Sequence, residues 1–326
     1  MGYLIYYLVL LPLSWLPMFV LYGIGRLLYL IGFHVFGYRK KVVRENIRGS
    51  FPDWTNEQVD AQVRRFYRYF FDSLAESIKL FSMSEAETVV RCRVENPELV
   101  APFAAAGRSV IAYGAHYANW EIAALSFSSQ FPGMTVMGIY SPLKNEVMDR
   151  LIKANRERTG TYVLSRRKVE QYFEENPVRP SLDFFVADQS PSNHAWYKLH
   201  WTHFLARTTS FLAGPERYAV RYDRPVFYMS LRMEKRGHYV ARLHPVTEHP
   251  RETAPGFITE TFARKLEEEI LRDPTPWLWT HRRWKRGVAP EAAEALKGKA
   301  FVPPEYERWS TLPPATSGGE QAPIAG

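Results

Sequence analysis

The chain has 326 residues, 46% of them apolar, enough to fill the core of one large domain or two small ones. Its single cysteine, Cys92, rules out an internal disulfide, and nothing resembles a cysteine-rich zinc site. A net charge of +8 points to anionic partners: nucleic acid, a phospholipid surface or an acidic protein. The 15% aromatic content suits a lipid-facing protein better than a nucleic-acid module.

From Met1 to Gly25 the sequence "MGYLIYYLVLLPLSWLPMFVLYGIG" has no charged side chain, and about 20 apolar residues suffice to cross a bilayer core as a helix. Pro12 and Pro17 would kink such a helix, so a bent span and a shallow membrane-embedded hairpin both fit. A cleaved signal peptide does not fit: no basic segment precedes the apolar run and no small-x-small site follows it. Arg26 and then "YRKKVVRENIR" (Tyr38 to Arg48) place a basic flank after it, expected to stay cytoplasmic and to attract anionic headgroups. The flanking charge favours this over the buried first helix of a soluble protein. The expected organisation is a membrane anchor over 1–36, a main domain over 37–302, and a Pro-, Gly- and Ser-rich tail over 303–326, disordered at its end.

Beyond the anchor, "TNEQ" is a capping box that starts a helix after Thr55, with Gln58 as the reciprocal residue. Val59, Val63, Phe66, Phe70, Leu74 and Ile78 form one apolar stripe that carries this helix to about Phe81, as core packing. Strands and helices then alternate. "SVIAY" (109–113), "MTVMGIY" (134–140), "TYVLS" (161–165) and "DFFVADQ" (183–189) read as strands. Helices fall at 119–127, 145–158, 167–176 and 214–222. "PVFYMSLRM" and "HYVARLHPV" flank "EKRG" as a hairpin, and a last helix, "ITETFARKLEEEILRD", ends before Pro274. This alternation predicts an α/β fold, a mixed sheet flanked by helices.

"GAHYANWE" (114–121) follows the first of these strands. Residues five apart do not share a helix face, so His116 and Glu121 meet only if His116 lies on the strand-to-helix turn and Glu121 in the helix's first turns. Gly114 and Ala115 can make that turn and Asn119 can cap the helix after it. A histidine there would see solvent and substrate, with the acidic residue holding its ring, which is the equipment of a general base. "WLWTHRRWKR" (277–286) mixes tryptophans with Arg282, Arg283, Lys285, Arg286 and His281. It suits a membrane interface, RNA stacking, or packing of its tryptophans onto the body, and the N-terminal anchor favours the first. His194, His200 and His203 have poor zinc spacing, so no metal is expected.

"GAHYANWE" at a strand end resembles the H-x4-D/E block of glycerolipid acyltransferases, and the lipid A biosynthesis (late) acyltransferase branch in particular. "YRKKVVRENIRGSFPDWTNEQ", "YSPLKNEVMDRLIKANRERTG", "VADQSP", "FLAGPERYA" and "PTPWLWTHRRWKR" are similar to that branch's other blocks. They stand in the same order over roughly residues 5 to 287. The chain departs after Asp188, reading "DQSPSN" in place of a second acidic residue and Gly, which leaves donor and acceptor specificity open.

The resemblance implies a bacterial inner-membrane O-acyltransferase with its catalytic domain on the cytoplasmic side. His116 would be the general base toward an acceptor hydroxyl, and Glu121 would orient and charge-balance it. Arg156 would supply a cation for the oxyanion or a phosphate, and Asp188 matches a position important for activity. Arg158, Asn119, Gln189, Arg150 and Lys144 are expected to bind substrate. The implied partners are an acyl thioester donor, by resemblance acyl carrier protein, a lipid A precursor as acceptor, and the anionic membrane surface, with neither cofactor nor nucleic acid. A lysophospholipid, an aminolipid or a glycolipid mannoside is the alternative acceptor. A non-catalytic membrane-binding protein on the same scaffold is the rival of another class.

Overall fold

The computed structural model describes residues 2–176, 178–191, 196–285, 287–288 and 293–294. The first helical run is α1 (Gly2–Ile5) and α2 (Leu11–Trp15), joined by a π-helical stretch. Pro17 removes a backbone donor and ends it; α3 (Met18–Tyr29) then continues through a second π-helical stretch to Val35. Met18–Val35 is, among the described residues, the one helix long and apolar enough to cross a membrane. Next come α4 (Lys40–Ser50), which is the basic segment, and α5 (Asn56–Lys79). The capping box forms as expected: Thr55 Oγ1 accepts from Gln58 N, and Gln58 Oε1 accepts from Thr55 N at 2.7 Å. Helix α3 lies along α5, and Gly25 makes that possible: a Cβ there would come within 3.0 Å of the Phe71 carbonyl oxygen.

The apolar stripe of α5 does two jobs, where one was expected. Val59, Val63 and Phe66 are buried in the core, but Phe70 is half-buried and Leu74 exposed, and burial passes to Phe71 and Ala75. Over 24 residues a fixed spacing drifts around a 3.6-residue helix, so the later members of the stripe come to face a groove beside α8.

The remaining elements are α6 (Glu85–Arg91), β1 (Cys92–Val94), α7 (Ala101–Ala105), β2 (Val110–Gly114), α8 (Trp120–Ser126), β3 (Thr135–Tyr140), α9 (Glu146–Glu157), β4 (Tyr162–Ser165), α10 (Val169–Glu175) and β5 (Ser181–Val186). They continue with β6 (Leu199–Phe204), β7 (Arg207–Leu212), α11 (Gly214–Tyr222), β8 (Val226–Lys235), β9 (His238–Thr247) and α12 (Phe257–Arg272). Seven strands form one sheet in the order β1-β9-β8-β2-β5-β3-β4. Within it β8 and β9 are antiparallel and the other neighbouring pairs parallel. The sheet is mixed and flanked by helices, as the alternation predicts. The antiparallel hairpin β6–β7 lies outside that sheet. In the sequence this stretch stands out only as a row of histidines. Residues 295–326, which include the expected tail, lie outside the described residues, as do His194 and Arg286.

Candidate active site

The site forms beyond the carboxyl ends of β2 and β5, where ligand sites of open α/β sheets collect. The two strands pair in parallel with Gly114 opposite Val186. Two residues further along each chain stand His116 and Asp188, so the register alone brings them side by side. His116 Nδ1 and Asp188 Oδ1 are 2.6 Å apart, and the same oxygen accepts from His116 N–H at 3.0 Å. The other oxygen, Oδ2, accepts from the Trp277 indole N–H at 2.9 Å. Asp188 is buried, which opposes its ionisation. The His116 ring and these hydrogen bonds outweigh burial and hold the carboxyl at about 2.

The turn that carries His116 is clamped by the segment following α12. Ala118 N donates to Pro276 O, Leu278 N donates to His116 O, and Tyr117 bridges to Trp277. Ala118 takes a positive φ of 54°, uncommon for a residue with a side chain and sustained here by those backbone bonds. Asn46 on α4 holds the far end of the clamp, donating Nδ2 to Trp279 O and His281 O. The membrane-interface expectation for this Trp-rich segment is therefore corrected: Trp277 and Trp279 are buried, and Trp284 donates to Thr209 Oγ1 beneath Arg207. Indole rings that close a core and bond a buried carboxylate cannot also sit among headgroups.

The expected partner of the base is corrected as well. Glu121 directs both carboxylate oxygens at Arg156, to Nη2 at 2.6 Å and Nε at 3.1 Å, while Asp188 holds the His116 ring. The physical reason is that α8 begins only at Trp120, so Glu121 leaves along the helix toward α9. Both members of the Glu121–Arg156 pair are about a quarter exposed. His116 Nε2 lies 3.1 Å from Gln189 Nε2, and the edge of its ring meets Trp120 at 5.0 Å between centroids. With Nδ1–H given to Asp188, Nε2 is left as the acceptor, the tautomer a general base requires.

Of the other expected site residues, Asn119 borders the groove between α5 and α8, while Arg158, Lys144 and Arg150 stand elsewhere. Asn119 is buried and caps α8 through Oδ1, which accepts from Ile122 N at 3.2 Å. Arg158 donates to the carbonyls of Leu80 and Met83, so it ties α9 to the end of α5; a guanidinium committed to backbone is not free for substrate. Lys144 and Arg150 line an open hollow of about 600 Å³ with Arg167, beyond β3 and β4.

Sequence reasoning missed Trp277 as a ligand of Asp188, and it missed His281 and Arg283. His281 Nε2 accepts from Ser190 N–H at 3.0 Å, and burial pulls its pKa down to about 4. Arg283 is buried, donates to Ser210 O at 2.6 Å and stacks over Phe211; burial lowers its pKa to about 10, and the charge of Asp188 opposes that. The basic run that contains them was the one available signal. Beside the base, a groove of about 200 Å³ runs between α5 and α8, with Phe66, Phe70, Leu74, Ser77, Trp120 and Glu121 among its walls.

The family model for bacterial lipid A biosynthesis acyltransferases matches residues 1–286. The lipid A biosynthesis lauroyltransferase of Escherichia coli (strain K12) is 23% identical over 283 residues, which cover 83% of this chain and 87% of that protein.

Proposed function

The chain belongs to the bacterial lipid A biosynthesis acyltransferase family and is an acyltransferase of lipid A synthesis; from that premise we propose that His116 is its general base. Neutral His116 takes the proton of an acceptor hydroxyl on Nε2. The alkoxide oxygen attacks the carbonyl carbon of an acyl thioester, and the tetrahedral intermediate collapses by breaking the carbon–sulfur bond. The thiolate leaves with the proton from the imidazolium. Asp188 holds the ring and stabilises its charged form, and Glu121 with Arg156 borders the reacting carbonyl. The donor is a fatty acyl thioester of acyl carrier protein, and the acceptor is a hydroxyl of a lipid A precursor.

One observation carries this reading: the 2.6 Å contact of His116 Nδ1 with a buried carboxylate that Trp277 also holds. The apolar groove beside Trp120 suits the acyl chain, whose buried methylenes each contribute about 0.8 kcal/mol. The hollow at Lys144, Arg150 and Arg167, which Glu146 and Asp149 also line, offers three cations to an anionic group of the acceptor.

The apolar N-terminal helices supply the membrane contact. Leu8, Trp15, Phe19 and Leu27 are exposed on them. Helix α5, on which α3 lies, carries exposed Arg64, Arg65 and Arg68, and charges of that density do not enter hydrocarbon. We place α1 to α3 in one leaflet of the inner membrane, on its cytoplasmic side, outer face in lipid.

The test uses full-length protein in detergent with lauroyl acyl carrier protein and a panel of lipid acceptors, followed by mass spectrometry of the products. A new ester made by the wild type and lost in His116→Ala is the expected result. Equal product from the variant would remove His116 as the base.

A further inference from the structure

Glu76 lies in the last turn of α5 and is 1% exposed. Three donors converge on its carboxylate: Tyr22 OH on Oε1 at 2.9 Å, and Asn119 Nδ2 and Tyr239 OH on Oε2 at 2.8 and 2.6 Å. Burying a carboxylate is costly even when it is bonded, and replacing a satisfied buried polar group with apolar residues is often neutral or stabilising. What distinguishes this group is therefore what it holds in place.

Asn119 is gripped at both ends of its side chain. Its amide N–H goes to Glu76, which leaves Oδ1 turned to accept from Ile122 N and cap α8. The next two residues are Trp120, whose ring meets His116, and Glu121, which pairs with Arg156. The setting of one amide thus decides where two walls of the site stand.

We propose that Glu76 is a positioning residue for acyl transfer: by orienting the Asn119 cap it sets the first turn of α8, and with it Trp120 and Glu121, against His116. This rests on the acyl-transfer reading above. Glu76 touches neither the reacting atoms nor the groove, so its loss acts on geometry at the transition state more than on donor binding.

Two variants separate positioning from stability, both in full-length protein assayed with lauroyl acyl carrier protein and a lipid A precursor. The triple variant Tyr22→Phe, Glu76→Leu, Tyr239→Phe replaces the network with apolar surface and leaves Asn119 Nδ2 without its acceptor. It is expected to stay folded with a modestly lower melting temperature, because one buried donor is left unmatched, while kcat falls on the order of tenfold or more with KM for the thioester within about twofold. Asn119→Ser keeps a good N-cap but gives Glu76 no amide, and it is expected to show the same loss of kcat. Added to the triple variant, Asn119→Ser should cost nothing more, because both act through one contact. Wild-type kcat in either folded variant, or a loss confined to KM, would overturn the proposal. An inactive wild-type protein would instead count against the acyl-transfer reading itself.

Discussion

Asp188 spreads three hydrogen bonds over two oxygens, two from His116 and one from Trp277. A carboxylate can only accept, and all three partners donate, so the match is complete. In Asp188→Asn the amide has one acceptor end and one donor end. Whichever way it turns, either His116 or Trp277 faces an N–H. We expect kcat to fall about 10²- to 10³-fold, within the range of general-base catalysis, and stability to drop by about 1–3 kcal/mol for the unmatched donor. Steady-state kinetics and denaturant unfolding measure the two effects separately. A folded Asp188→Asn protein with wild-type kcat would end the role assigned to this carboxylate.

At the scale of the element, α5 is the piece whose two faces connect packing to specificity. Its N-terminus depends on the Thr55–Gln58 box, so Thr55→Ala should cost about 1 kcal/mol, seen as a lower denaturant midpoint with no change in product. Its other face meets the groove at Phe70, Leu74 and Ser77. Leu74 is 41% exposed, so a larger side chain there fills the groove without overpacking the core. Leu74→Trp is expected to shift the products toward shorter acyl chains in a competition among thioesters, read by mass spectrometry. An unchanged chain-length profile would take the acyl chain out of this groove.

For the whole molecule, half-buried His281 and buried Glu269 tie stability to pH with opposite signs. His281 sits at about 4 in the fold against 6.5 in the unfolded chain, because burial disfavours its charged form. Between those values the unfolded chain holds the extra proton, so stability rises with pH from about 4 to 6.5 and is lost on acidification. Glu269 is pushed by burial to about 7 from 4.5, and Tyr228 donates a hydrogen bond to it. There the folded protein holds the extra proton, so stability falls as pH rises from 4.5 to 7, by a total on the order of 3 kcal/mol. The two slopes oppose each other between pH 4.5 and 6.5. His281→Gln should expose a decline with rising pH, and Glu269→Gln a rise. Two variants that both follow the wild-type curve would show that neither group titrates in this window.

How much was legible beforehand depends on the range of each interaction. The uncharged start, the capping box, the strand before "GAHYANWE" and the alternation of strands and helices are local or periodic patterns, and one-dimensional order carries them. His116 at a strand end was legible for the same reason, as was Asp188 at another. What joins them is a contact across 72 positions, set by the parallel register Gly114–Val186, and no spacing along the chain encodes a register between distant strands. Nearness in sequence suggested Glu121 as the partner of the base, whereas the start of α8 turned that residue toward Arg156. The tryptophans of residues 277–284 were visible as a composition. Only packing decided that they close the site from behind, because burial depends on what the rest of the chain leaves open.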